Sequence, residues 1–216
     1  MRANAMRDAS VKLMGTAAVV LAATVLLAAA AGCRVKVDKD ANGQDKNVQV
    51  DTPFGGVHVN TNQTTAADLG LPVYPGAQIV EDKDHDKSAD VHLGFGKWEL
   101  RVKAVSYATG DKQEQVIAFY KKALGRFGEV LTCQQKTAVG KPSVTSEGLT
   151  CEDQKNMNFQ LGDQSVGTGK GLELKAGSKN HQHIVGFEEA ESGRTRFTLI
   201  SLDLPEGTGS DSGKSD

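Results

Sequence analysis

The stretch "WELRVKAVSYAT", residues 98–109, sets Trp98, Leu100, Val102 and Ala104 at every second position against Glu99, Arg101 and Lys103. Period two is the signature of a strand with one dry and one wet face, and no helix can satisfy it. Just upstream, "VHLGF" supplies a second strand. After Gly110 the period changes. In "DKQEQVIAFYKKALGRFG" the residues Val116, Tyr120, Ala123, Leu124 and Phe127 form a stripe at helical spacing. Asp111 is the expected N-cap, Glu114 takes the capping-box position, Arg126 lies near the negative end of the dipole, and Gly128 is the expected left-handed stop. Such a stripe reads as a core face. Strand patterns then return in "EVLTC", "LTC", "MNFQL", "GLELKAG", "HQHIVGFEE" and "TRFTLISLDL". "ESG" is a hairpin signal between the last two, and adjacent Leu199 and Ile200 mark a strand covered on both faces. This order implies an α+β fold: an antiparallel β-sheet with one main α-helix packed across a face.

That domain is expected over residues 68–205, entered through "LGLPVYPGA", where Pro72 and Pro75 fix φ and Gly76 permits a turn. Residues 33–67 form a polar linker in which Val48, Val50 and Thr52 face Val57, Val59 and Thr61 across "PFGG", a small N-terminal β-hairpin. A two-stranded ribbon is marginal alone, so it either docks on the domain or acts as a spacer. Residues 206–216, "EGTGSDSGKSD" with Pro205 before them, have the composition of a disordered tail.

The first 32 residues read differently. Arg2, Arg7 and Lys12 against Asp8 make a positive leader before an uncharged run over residues 13–32. Positive leader and apolar run are the layout of an export signal. The run is long enough to approach the ~20 residues of a membrane span, but it is mostly alanine and would make a weak one. Three readings follow: a lipoprotein signal, an uncleaved signal anchor, or a plain secretory signal. The order of charge, apolar run and "Ala30-Ala31-Gly32-Cys33" resembles a bacterial lipoprotein signal, departing from that pattern only in having Ala30 where leucine is preferred. The resemblance implies that Cys33 receives a diacylglyceryl group on sulfur, that residues 1–32 are removed, and that the new amino terminus takes a further fatty acyl chain such as palmitate. It places the rest of the chain in the cell envelope, anchored to the membrane by lipid and facing the periplasm or cell exterior. Arg34, not Asp, follows the cysteine, which by the same resemblance favours the outer membrane in a Gram-negative cell.

Cys133 and Cys151 are then the remaining thiols, an even pair in an oxidising compartment. A structural disulfide is expected in preference to two free thiols, because a redox pair needs closer spacing. "LPVYPGA", "SYATGD" and "VIAFYKKALGRFG" resemble a pattern found in uncharacterised exported proteins and lipoproteins of bacteria, over residues 69–204. That resemblance implies architecture and location and carries no activity.

Chemistry-bearing motifs are weak. Asp38, Asp40, Asn42 and Gly43 have calcium-loop spacing, but Gln49 stands where a bidentate glutamate belongs, and an Asn-Gly hairpin turn explains the same residues. The run Asp82, Asp84, Asp86 and Asp90 has Lys87 where glycine is needed and reads as a solvated loop. His181 and His183 alternate onto one strand face and are candidate metal ligands if His58 or His92 supplied a third donor; surface or interface histidines is the simpler reading. "VGTGKGLE" fails as a phosphate loop, with Gln164 in place of the first glycine and Gly171 in place of Ser or Thr. There is no nucleophile elbow and no HExxH. A formal net charge of −2 with interspersed signs argues against nucleic acid as a partner. The sequence therefore points to a membrane-anchored, non-catalytic binding or envelope-interaction module without a cofactor, whose partner is an envelope protein or a small ligand. A metal-binding periplasmic protein and an exported hydrolase are the alternatives.

Overall fold

The computed structural model describes residues 32–39, 45–61, 63–80, 88–152, 159–161, 164–166, 171–188 and 193–205. The leader up to residue 31, the tail, the centre of the "DKDANG" turn, most of the acidic run and residues 167–170 of "VGTGKG" lie outside them. The expectations placed on those segments concern residues not described here.

The described chain forms strands β1 (Arg34–Lys39), β2 (Asp45–Thr52), β3 (Gly55–Thr61), β4 (Gln78–Ile79), β5 (Ser88–Phe95) and β6 (Trp98–Thr109). Helix α1 (Gln113–Leu124) follows, then β7 (Leu131–Gln134), β8 (Thr137–Ala138), β9 (Phe159–Leu161), β10 (Gln164–Val166), β11 (Leu172–Gly177), β12 (His181–Phe187) and β13 (Thr195–Asp203). One antiparallel sheet runs in the order β1-β2-β3-β5-β6-β13-β12-β11-β7-β8, with β4 also paired to β6; β9 and β10 make a separate hairpin. The fold is thus an antiparallel sheet with one α-helix, more sheet-dominated than the strand patterns suggest. The N-terminal hairpin forms with Val48 opposite Val59 and Val50 opposite Val57. It is neither a free spacer nor docked on a face: β3 pairs with β5 along its whole length, so β1–β3 extend the main sheet edge to edge.

The helical stripe is where the 3.6-residue period puts it. Val116, Tyr120 and Leu124 are fully buried, and Ala123 and Phe127 pack beside them. They cover Val105, Tyr107, Leu174, Ala176, Val185, Phe187, Phe197 and Leu199 on one sheet face. The ends of the helix differ from the sequence expectation. The N-cap is Lys112, whose backbone N–H donates to Gln115 Oε1 at 3.2 Å; Asp111 is drawn off to accept from Tyr74 Oη at 2.8 Å. The capping-box role therefore passes from Glu114 to Gln115. At the other end the chain tightens into a 3₁₀ turn, Gly125–Phe127, and Gly128 adopts φ +125, outside the left-handed helical region.

A second apolar cluster, Val102, Ala104, Ile184, Ile200 and Leu202, occupies the opposite face. Leu199 and Ile200 fall in different clusters, as their adjacency in a doubly covered strand requires. "LTC" contributes only an isolated bridge, Val144 to Thr150. Its cysteine is nonetheless fixed, because Cys133 and Cys151 form the disulfide across 5.6 Å between Cα atoms.

Tyr120 ties the helix to the proline entry. Its hydroxyl donates to the Pro72 carbonyl at 3.1 Å and accepts from the Tyr74 N–H at 3.2 Å. Burial pushes this phenol well above its usual pKa, so it stays a neutral donor. Tyr120→Phe should cost about 1–3 kcal/mol, because a buried backbone N–H and C=O lose their partner while the ring packing stays. A chemical-denaturation midpoint equal to that of the unaltered protein would contradict this role.

Candidate functional site

Cys33 is an exposed, free thiol directly ahead of β1. It lines an open hollow of about 460 Å³ with Gly32, Arg34, Val35 and Asp51. β1 is exposed throughout and forms one edge of the sheet, where Arg34, Lys36 and Lys39 discourage edge-to-edge pairing with other chains. Opposed residues in an antiparallel ladder share a face. The registers therefore place Val37, Val48, Val59, Val91 and Val102 in one cross-strand row, and Val35, Val50, Val57, Leu93 and Leu100 in the next. One face of the N-terminal ribbon is apolar from edge to core.

The other face of the same ribbon is polar and ionic. Asp51 accepts from Gln49 Nε2 at 2.7 Å and pairs with His58 Nε2 at 2.8 Å. The His58 bond holds the Asp51 carboxyl below its ordinary range, with Gln49 and Arg34 adding to the effect against some desolvation. His58 lies edge-on to His92 with ring centroids 6.1 Å apart. His92 Nε2 is 2.8 Å from Glu99 Oε1, a close contact whose angle falls outside hydrogen-bond geometry. Next along the strands, Arg101 spans Asp90 at 3.3 Å and 3.4 Å. This cross-strand histidine pair was hidden in the sequence. "VHV" and "VHL" fix which face each ring takes, but only the β3–β5 register sets His58 opposite His92.

The candidate ligands His181 and His183 do share a face of β12, yet each is engaged elsewhere. His181 Nδ1 bonds Asp203 Oδ1 at 3.0 Å. His183 stacks on Phe127 with centroids 3.6 Å apart, and the Arg126 guanidinium carbon lies 4.8 Å over the Phe127 ring. β6 and β13 separate β12 from β5, so His58 and His92 supply no third donor there. Among the described residues no group of three or more His, Cys, Asp or Glu side chains stands where it would hold a metal ion. Beside His181, an open groove of about 820 Å³ is lined by Lys97, Glu99, Ser178, Asn180, Asp203, Leu204 and Pro205. It is wide and polar, a surface for contact more than an enclosure for chemistry.

Burial lowers the His183 pKa from its ordinary 6.5, aided by Arg126 and His181 and opposed by Asp203 and the Leu69 carbonyl. A base whose folded pKa lies below its unfolded value binds fewer protons in the folded state, so stability is full above about pH 6.5 and declines as the pH falls through that range. Urea midpoints measured at about pH 7.5 and about pH 5.5 should fall on acidification, and less so for His183→Phe, which keeps the stack. An identical fall in both proteins would contradict the assignment.

Among the described residues no helix is long and apolar enough to cross a membrane. The geometry defines a class, an antiparallel sheet carrying one helix and a disulfide, with a free cysteine at one edge strand. Comparison of the chain with protein-family models, curated proteins and solved structures finds no match.

Proposed function

We propose that this chain is an exported lipoprotein that Cys33 anchors to a membrane, and that its folded part is a non-catalytic module for contacts in the cell envelope. The observation that carries the reading is the placement of Cys33. It is the one free cysteine of three, it is exposed, and it leads straight into an edge strand where acyl chains can leave the fold without disturbing its core. The Cys133–Cys151 bridge supports an oxidising compartment. One acyl chain holds a protein only marginally, whereas two or more make release slow, each buried methylene adding ~0.8 kcal/mol. The groove beside His181 and the ionic face of β2, β3 and β5 are the surfaces offered to an envelope protein or small ligand.

The reading is tested by growing cells on an alkyne-tagged palmitate. The unaltered protein should carry the tag, and Cys33→Ala should fall to background. Equal labelling of the two would overturn the assignment of Cys33.

A further inference from the structure

The ladder registers bring an unusual set of side chains to one end of the sheet. Arg34, Asp51, Gly56, Gly94 and Glu99 form a row across β1, β2, β3, β5 and β6. One residue further out the row continues with Thr52, Gly55, Phe95 and Trp98, and Cys33 is the β1 residue at that level. Phe54 projects from the turn between β2 and β3 at the same end and is 84% exposed. Phe95 is 50% exposed and Trp98 39%, their rings 6.0 Å apart on the apolar face of the ribbon, and Val35 beside the anchor is 62% exposed. Strands lie about 4.8 Å apart, so Cys33 and Trp98 stand roughly 19 Å from each other along this end.

Exposed large apolar residues gathered at one place are a binding surface. Three aromatics in line with an acyl attachment point have a particular occupant within reach, because rings of this kind settle at the headgroup level of a bilayer, and Trp most of all. The charges at this end agree. Arg34 and Lys97 bring positive charge to this end, while the two carboxylates, Asp51 and Glu99, each lie 2.8 Å from a histidine nitrogen.

We propose that this end of the sheet rests on the lipid surface, with Phe54, Phe95 and Trp98 seated among the headgroups and the acylated Cys33 at the corner. The domain is then held in one orientation, with Thr109 and the start of α1 at the end of β6 opposite the bilayer, not swinging on a flexible tether. The proposal rests on the lipoprotein reading and adds a fixed pose to it.

Trp98 is the chain's only tryptophan, so its fluorescence reports this site alone. The membrane-purified full protein is reconstituted into phosphatidylcholine–phosphatidylglycerol vesicles, with and without acyl chains brominated near the headgroup, and its mass is recorded in parallel. Docking predicts a blue-shifted emission, quenching by the brominated lipid, and acrylamide quenching reduced by roughly twofold or more relative to the same protein in Phe54→Ser/Phe95→Ser form. An acylated Cys33 with Trp98 open to acrylamide and untouched by bromine would overturn the docking and leave the lipoprotein reading standing. Shielding from acrylamide without bromine quenching would mean that a second protein copy covers the rings, and would also overturn it. An unacylated Cys33 would remove the lipoprotein reading and this pose together.

Discussion

Replacing Cys133 and Cys151 together by alanine is expected to lower the unfolding free energy by about 3 kcal/mol, the chain-entropy value for a loop of this length. For a domain of this size that is a fall in Tm of roughly 6–12 °C. The two residues are 18 apart in sequence, and their sulfurs sit with Leu131 and Leu149 in a small cluster of their own. Without the bridge, the loop between β8 and the isolated Val144–Thr150 pairing has little apolar burial to hold it against the sheet. Thermal scans with and without reductant separate the bridge from the packing. The unaltered protein should drop to the Tm of the double variant when reduced, and the variant should ignore the reductant. A variant within a degree of the unaltered protein would mean that the cysteines are not joined.

The second large effect comes from charge in the interior. Lys175 and Glu173 on β11 form an ion pair at 3.3 Å with side chains 2% and 6% exposed. They lie opposite Leu131 and Cys133 of β7, on the face away from α1. Removing one partner of a buried pair leaves the other charge desolvated, so Lys175→Met should cost about 3–5 kcal/mol. Lys175→Met with Glu173→Leu should recover much of that loss, because two apolar groups need no compensation. A double variant as unstable as the single one would show that packing, not the loss of the Lys175 charge beside Glu173, sets the cost. Because Cys133 faces Glu173, this pair and the bridge should not be additive when both are altered.

The parts of the fold that were legible in the sequence are those with a clean period. "WELRVKAVSYAT" became β6 with the expected bounds, and Val116, Tyr120 and Leu124 became the buried helix face. The cap is not legible locally, because Asp111 is an equally good partner for a tyrosine hydroxyl 37 residues away, which no local rule foresees. The N-terminal ribbon was visible as a hairpin, but its membership of the main sheet depends on β3 finding β5, a pairing between strands joined by a long connection. Glu173 and Lys175 look like an outward-facing polar alternation in "GLELKAG". Only the three-dimensional cover over β11 turns them into buried charges.

The candidate site divides in the same way. The even count of later cysteines is a one-dimensional signal, and the bridge it announces is present; the leader and the small residues before Cys33 are signals of the sequence alone. The line of Phe54, Phe95 and Trp98 with Cys33 was not legible there, since four separate registers have to agree before those residues share one end. His181 and His183 drew notice by their spacing, yet the ring stack on Phe127 and the Asp203 bond are tertiary facts.

Membrane anchoring turns on the chemical state of Cys33, and the intact mass of the protein purified from membranes reads it directly. A chain beginning at Cys33 with the added mass of a diacylglyceryl group, alone or with one further acyl chain, is the predicted result. A mass that still includes residues 1–32, or a chain with an unmodified thiol at that position, would contradict it.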